Sequence, residues 1–179
     1  MKGFIFGIIF TIAVMVVGVF VVVTTGSLPV ATSSAPLPFE KTIASMALNA
    51  RVKKEMPKTV PIQANDENLI AGARLYNDNC AVCHGLPGQP QTAVAKGMFP
   101  EPPEMFKKKG VTDDPPGETY WKVANGIRLT GMPGFKGELS DTQLWQVSLL
   151  LANADKISQA VKDVLAQQAT AAPNPVTTQ

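Results

Sequence analysis

Cys80-Ala81-Val82-Cys83-His84 gathers both cysteines and the single histidine of a 179-residue chain into one short stretch. Two cysteines three residues apart present their sulfurs on nearby faces of one turn, where they can form thioethers to the two vinyl groups of a single haem. The following His84 then falls under the iron as an axial ligand, which is why this spacing reads as c-type haem attachment. Three other readings compete. A closed structural zinc site wants four ligands, usually Cys and His, and the chain holds only three such residues. A CxxC redox centre belongs at the start of a helix in a βαβ setting, whereas the pattern below puts this motif at the end of a helix in an all-α chain. Chance is the third.

A low-spin haem needs a second axial ligand, and with the only histidine already used, methionine leads. Three methionines follow the motif: Met98, Met105 and Met132. Met132 stands in Thr130-Gly131-Met132-Pro133-Gly134-Phe135, where Gly and Pro hold a tight loop poor in side chains and leave a thioether room to reach the iron. Met98 and Met105 each neighbour a phenylalanine in a Pro-rich stretch and read as packing residues. The expected site is therefore Cys80, Cys83, His84 and Met132, with His84 and Met132 as the iron ligands. The alternative is an open axial position, which would make the chain a haem-based small-ligand binder or sensor.

The elements that position these residues follow from the rest of the sequence. Residues 1–23 include an uncharged apolar run, Phe4 to Val23, and ~20 helical residues at 1.5 Å each match a hydrocarbon core of roughly 30 Å. A cleavable signal peptide competes, since Ser33 and Ala35 offer a poor cleavage-like pattern, but its apolar region spans only about 7–15 residues, and the longer run here favours a retained single-pass anchor. Lys2 is the only charge before the run and none follows until Glu40, so the positive-inside rule weakly favours a cytoplasmic N-terminus and an extracytoplasmic, periplasmic-side remainder. Residues 24–64, rich in Ser, Thr, Ala and Pro, read as a tether. Within them Phe39, Ile43, Met46, Ala47 and Ala50 recur at helical spacing ahead of Arg51, Lys53, Lys54 and Lys58. A short helix there could be plainly solvated, or could lie on an anionic bilayer surface or a partner subunit.

Residues 65–153 form the expected globular domain. Asn65 or Asp66 can cap a helix whose Leu69, Ile70, Ala73 and Tyr76 lead to Cys80. The Gly- and Pro-rich stretch 85–116 reads as a long loop, and a short helix over 118–125 ends near Gly126. Ser140 and Gln143 form a capping box, with Leu139 and Leu144 as a hydrophobic staple, for a helix reaching about Leu151. Ile157, Ala160, Val161, Val164 and Leu165 mark an extra amphipathic helix within 154–168, and residues 169–179 read as a disordered tail. No stretch alternates with period two, so the domain should be all-α.

Charge narrows the function further. The chain carries a net +2 with 7% aromatic residues, and residues 65–155 hold eight basic against eleven acidic side chains, a net of −3. Neither figure suits nucleic-acid binding. Lys107-Lys108-Lys109 reads as a solvated surface run or as a docking spot for an acidic partner, Arg128 as a surface residue or a haem propionate partner, and Trp121 and Trp145 as core residues beside the haem.

Gly72 with Tyr76, then Cys80-x-x-Cys83-His84-Gly85, Gly131-Met132-Pro133-x-Phe135, and Leu139-Ser140-Asp141 leading to Trp145 resemble the class I cytochromes c in order and spacing. The resemblance implies a small helical bundle around one covalent haem c, with the N-terminal helix crossing the C-terminal one. Gly72 would allow the close approach, and Tyr76 and Trp145 would meet near the crossing. It also implies one-electron transfer through an exposed haem edge, outside the cytoplasm, by an electron-transfer protein rather than an enzyme. The anchor, the tether and the extra helix depart from a freely diffusing carrier and favour a tethered carrier, or a cytochrome subunit of a larger respiratory or redox membrane complex. Its partners would be redox proteins or subunits of that complex.

Overall fold

The computed structural model describes residues 2–107 and 110–171, with side chains as far as residue 167. Lys108 and Lys109 of the expected lysine run, and residues 172–179 of the expected tail, lie outside the described residues. The chain divides into two compact units, Met1–Lys41 and Thr42–Gln179.

In the first unit the apolar run forms one helix, α1 (Lys2–Thr24), none of whose residues is buried. It is long and apolar enough to cross a membrane, with a mean hydropathy of 3.0 in its most apolar window; a signal sequence near an N-terminus has the same character.

The second unit holds most of α2 (Glu40–Glu55), then α3 (Asp66–Asn79), α4 (Ala81–His84), α5 (Ala93–Lys96), α6 (Pro116–Asn125), α7 (Asp141–Ala152) and α8 (Gln159–Ala171), with no strand among the described residues. The caps work as their side chains dictate. Asn65 accepts from the Asn68 amide at 3.0 Å, which satisfies one of the orphan donors at the start of α3. Ser140 and Gln143 close a reciprocal capping box on α7. Pro116 opens α6, where its fixed φ and missing N–H cost nothing. The helix α8 continues to Ala171, beyond the 168 expected.

The core lies where α3 crosses α7, with α6 against α7 and α8 against α3. Ala73, Tyr76, Leu144, Val147, Leu150, Val161 and Leu165 are all but inaccessible there. Gly72 sets the separation of α3 and α7, because a Cβ on it would stand 2.3 Å from the Gln146 carbonyl oxygen. Tyr76 and Trp145 are both buried, but their aromatic partners are not each other. Tyr76 meets Phe106 edge-on, ring centres 5.1 Å apart, and Trp145 stacks on Tyr120 at 4.4 Å. The bulk of the 85–116 loop supplies Phe106 and so reaches the crossing that the resemblance gave to Trp145.

One expectation is corrected. Trp121 is only half-buried, and its indole N–H donates to Glu55 at 3.2 Å. It lies on the flank of α6 that receives α2, away from the core. In the helix within residues 24–64, Ile43 and Met46 are 65% and 67% exposed, while Val52 is 2% exposed. Hydrophobic periodicity marks a stripe but not what it faces, and here the shorter stripe is the one that packs.

Candidate haem site

The cysteines stand where α3 ends. Cys80 is the C-cap, its amide donating to the Tyr76 carbonyl at 2.8 Å. The amides of Cys83 and His84 then both donate to the Cys80 carbonyl, at 3.1 and 2.9 Å, winding the motif into the single turn α4. Gly85, at φ +75°, breaks that turn in a conformation L side chains rarely adopt. Its carbonyl is held by the Tyr76 hydroxyl at 2.7 Å, so the core tyrosine fastens the exit of the motif. Burial, and then the neighbouring Cys83, push the Cys80 thiol up to about 12. A redox-active CxxC needs the opposite shift, so the electrostatics here do not favour that reading.

Next to this turn is a largely apolar cavity of about 220 Å³. Cys80, Cys83, His84 and Met132 all line it, so the four residues expected from the sequence come together although they span more than 50 positions. His84 Nδ1 lies 2.8 Å from the Pro103 carbonyl oxygen. A carbonyl can only accept, so Nδ1 carries the proton and Nε2 keeps a free lone pair, which is the state an iron ligand needs. Burial holds the imidazole below its usual range, with the Pro103 bond opposing part of that shift, and the ring is therefore neutral at pH 7.

Met132 sits on a loop closed by three linked hydrogen bonds. Its amide donates to Thr130 Oγ1 at 3.1 Å, Thr130 Oγ1 donates to the Ile127 carbonyl at 2.7 Å, and the Ile127 amide donates to the Met132 carbonyl at 3.2 Å. Phe135 and Lys136 then donate to the last carbonyls of α6. Gly126 and Gly134 let loop and helix end touch: a Cβ on Gly126 would lie 2.6 Å from the Gly134 nitrogen. Met98 and Met105 line the same cavity, which their reading as plain packing residues did not anticipate. Neither tryptophan lines it; Trp145 is buried in the core as expected, while Trp121 is half-buried against α2. Arg128 is exposed.

Two contributors were missed. Pro103 orients His84 from 19 positions away, and nothing local marks that proline among its neighbours. Leu48, from α2, also lines the cavity; its signal was the pair Leu48 and Val52, one helical turn apart. Among the described residues no cluster of three or more His, Cys, Asp or Glu is arranged to hold a metal ion. The donor set fits a haem instead: two thiols on one turn, a neutral imidazole with its free nitrogen, and methionine thioethers around an apolar cavity.

Comparison with known proteins agrees. The family of cytochrome c oxidase, cbb3-type, subunit III matches residues 67–149. Cytochrome c6 of Limnospira maxima is 33% identical over 81 residues, covering 45% of this chain and 86% of that protein. No solved structure matches the chain at a significant level. With the haem-attachment turn, the apolar cavity and that coverage together, the chain belongs to the class I c-type cytochromes, and its cofactor is a covalently held haem c.

Proposed function

We propose that the chain is an extracytoplasmic one-electron carrier, not an enzyme in itself, with His84 and Met132 as the axial ligands of its haem and α1 as a retained membrane anchor. The observation that carries the ligation is the convergence of the oriented His84 imidazole and the pinned Met132 loop on the cavity that Cys80 and Cys83 line. The haem supplies a one-electron iron couple; everything else is the work of this chain's own residues. Cys80 and Cys83 fix the group, Pro103 holds His84 in the ligating tautomer, and the hydrogen-bonded loop keeps Met132 from swinging to solvent. The apolar walls limit the rearrangement of surroundings when the iron changes charge.

Similarity to an oxidase subunit family supports service as the cytochrome subunit of a larger redox complex. Its partners are then redox proteins or the other subunits, and co-purification with large subunits after mild detergent extraction tests this. The ligation is tested by visible spectroscopy of the purified full chain. Haem retained through denaturing extraction, with the weak far-red ferric band of an iron–sulfur bond, is the expected result. Met132→Ala should abolish that band, lower the potential and open the iron to small ligands, while Met98→Ala and Met105→Ala keep the band. Loss of the band in Met98→Ala or Met105→Ala, with Met132→Ala unaffected, refutes the assignment. A high-spin wild-type spectrum moves the ligand-binding reading to the front.

A further inference from the structure

The segment read as a tether has a face that does not behave as one. Leu48, Val52 and Glu55 fall at i, i+4 and i+7 and share one side of α2. Leu48 and Glu55 reach residues of the haem domain, and Val52 between them is buried. Val52 is 2% exposed. Glu55 accepts from the Trp121 indole at 3.2 Å and is steadied by Arg51 at 2.7 Å. Just past the helix, the Pro57 carbonyl occupies the space a side chain at Gly117 would need, with a Cβ there only 2.0 Å away. Trp121 and Gly117 belong to α6, which also supplies Thr119, Lys122 and Val123 to the cavity. One turn before Val52, Leu48 reaches that cavity and lines it with His84 and Met132.

We propose that α2 is a wall of the haem cavity, with Leu48 as a positioning residue that keeps water from the haem and Glu55–Trp121 as the latch that holds it there. The inference rests on the haem occupying this cavity. Its physical content is electrostatic. Water stabilises the more positive ferric state more than the ferrous one, so an apolar wall raises the reduction potential. The fastening is specific to one face, since Ile43 and Met46 on the other side of the same helix stand 65% and 67% exposed.

The test is redox titration of full-length, detergent-purified holoprotein. Leu48→Ala should shift the ferric-to-ferrous ratio at a fixed ambient potential toward ferric by on the order of threefold to tenfold, because it opens the cavity to solvent. Leu48→Met should restore the wild-type ratio, and Ile43→Ala, on the exposed face, should leave it unchanged. Trp121→Phe keeps the ring and removes the donor to Glu55; it should shift the ratio in the same direction as Leu48→Ala, by less. A wild-type ratio in Leu48→Ala overturns the proposal. If that variant yields no holoprotein, Trp121→Phe decides: a shift toward ferric supports the wall, and a wild-type ratio overturns it. A covalent haem with an unresponsive Leu48 removes only this inference, whereas a wild-type chain without covalent haem removes the haem reading along with it.

Discussion

Gly72→Ala tests the packing on which the haem site stands. An alanine Cβ at this position would lie 2.3 Å from the Gln146 carbonyl oxygen, 2.7 Å from its carbon and 3.2 Å from Leu150 Cβ, whereas ordinary contacts begin near 3.4 Å. The obstructing atoms are backbone of α7 and cannot swing aside as a side-chain tip would. The helices α3 and α7 must therefore part by about 1 Å over an interface that buries Leu69, Ala73, Tyr76 and Leu150. Overpacking of this kind costs about 1–3 kcal/mol, occasionally more, and a clash with backbone belongs at the upper end. Against it, replacing Gly by Ala inside a helix returns about 1 kcal/mol of helix propensity. The net expectation is a loss of about 2 kcal/mol, or roughly 5–10 °C in Tm for a unit of this size. The assay is denaturant unfolding of the ferric holoprotein followed by far-ultraviolet circular dichroism. Gly137→Ala, where a Cβ meets nothing within 4 Å, is the control and should stay within about 0.5 kcal/mol of wild type. Equal stability of the two variants would refute the close-approach argument. The site should report the same event, because α3 ends on Cys80 while Val147 and Leu151 of α7 line the cavity; parting the helices should also weaken the far-red ferric band.

Ser140→Ala removes the side-chain half of the α7 capping box, the acceptor for the Gln143 amide, and leaves the backbone half; it should cost about 1 kcal/mol in the same unfolding assay, with Ser140→Asp close to wild type, and an Ala variant as stable as wild type would show that the cap is idle. Tyr120 donates its hydroxyl proton to Asp141, and partial burial, then that bond, push its phenol up to about 12. Since the folded value lies above the unfolded value of 10.0, the stabilisation is whole below pH 10 and is lost as pH rises from 10 toward 12. Near-ultraviolet difference titration should show a late-ionising phenol that disappears in Tyr120→Phe, and an ordinary titration near pH 10 would contradict the hydrogen bond.

What the sequence revealed and what it hid divide along the range of the interactions. Thioether attachment requires both sulfurs and the imidazole on one turn, so Cys80, Cys83 and His84 had to be adjacent in sequence, and they could be read directly. Capping is equally local: Ser140 and Gln143 announce α7 because the bonds they make span three residues. Met132 was singled out for a different reason, namely that a loop with Gly131, Pro133 and Gly134 around it leaves a thioether room to reach an iron, and it does line the cavity. Yet all three methionines reach the cavity, because the fold of the 85–116 loop depends on contacts its composition does not encode. Composition likewise made residues 24–64 look like a tether holding one short helix, since Pro, Ser and Thr dominate it, and the longer apolar stripe of α2 drew attention away from the shorter face that packs. The packing face is made by two apolar residues, Leu48 and Val52, together with a carboxylate whose partner lies 66 positions away in Trp121. A helix docked through so few side chains has too little apolar periodicity to be recognised before its partner is in place. The same brevity makes it sensitive to single substitutions: with one latch and one buried valine holding it, the contact between α2 and the haem cavity can be altered without disturbing the α3–α7 crossing that holds the domain together.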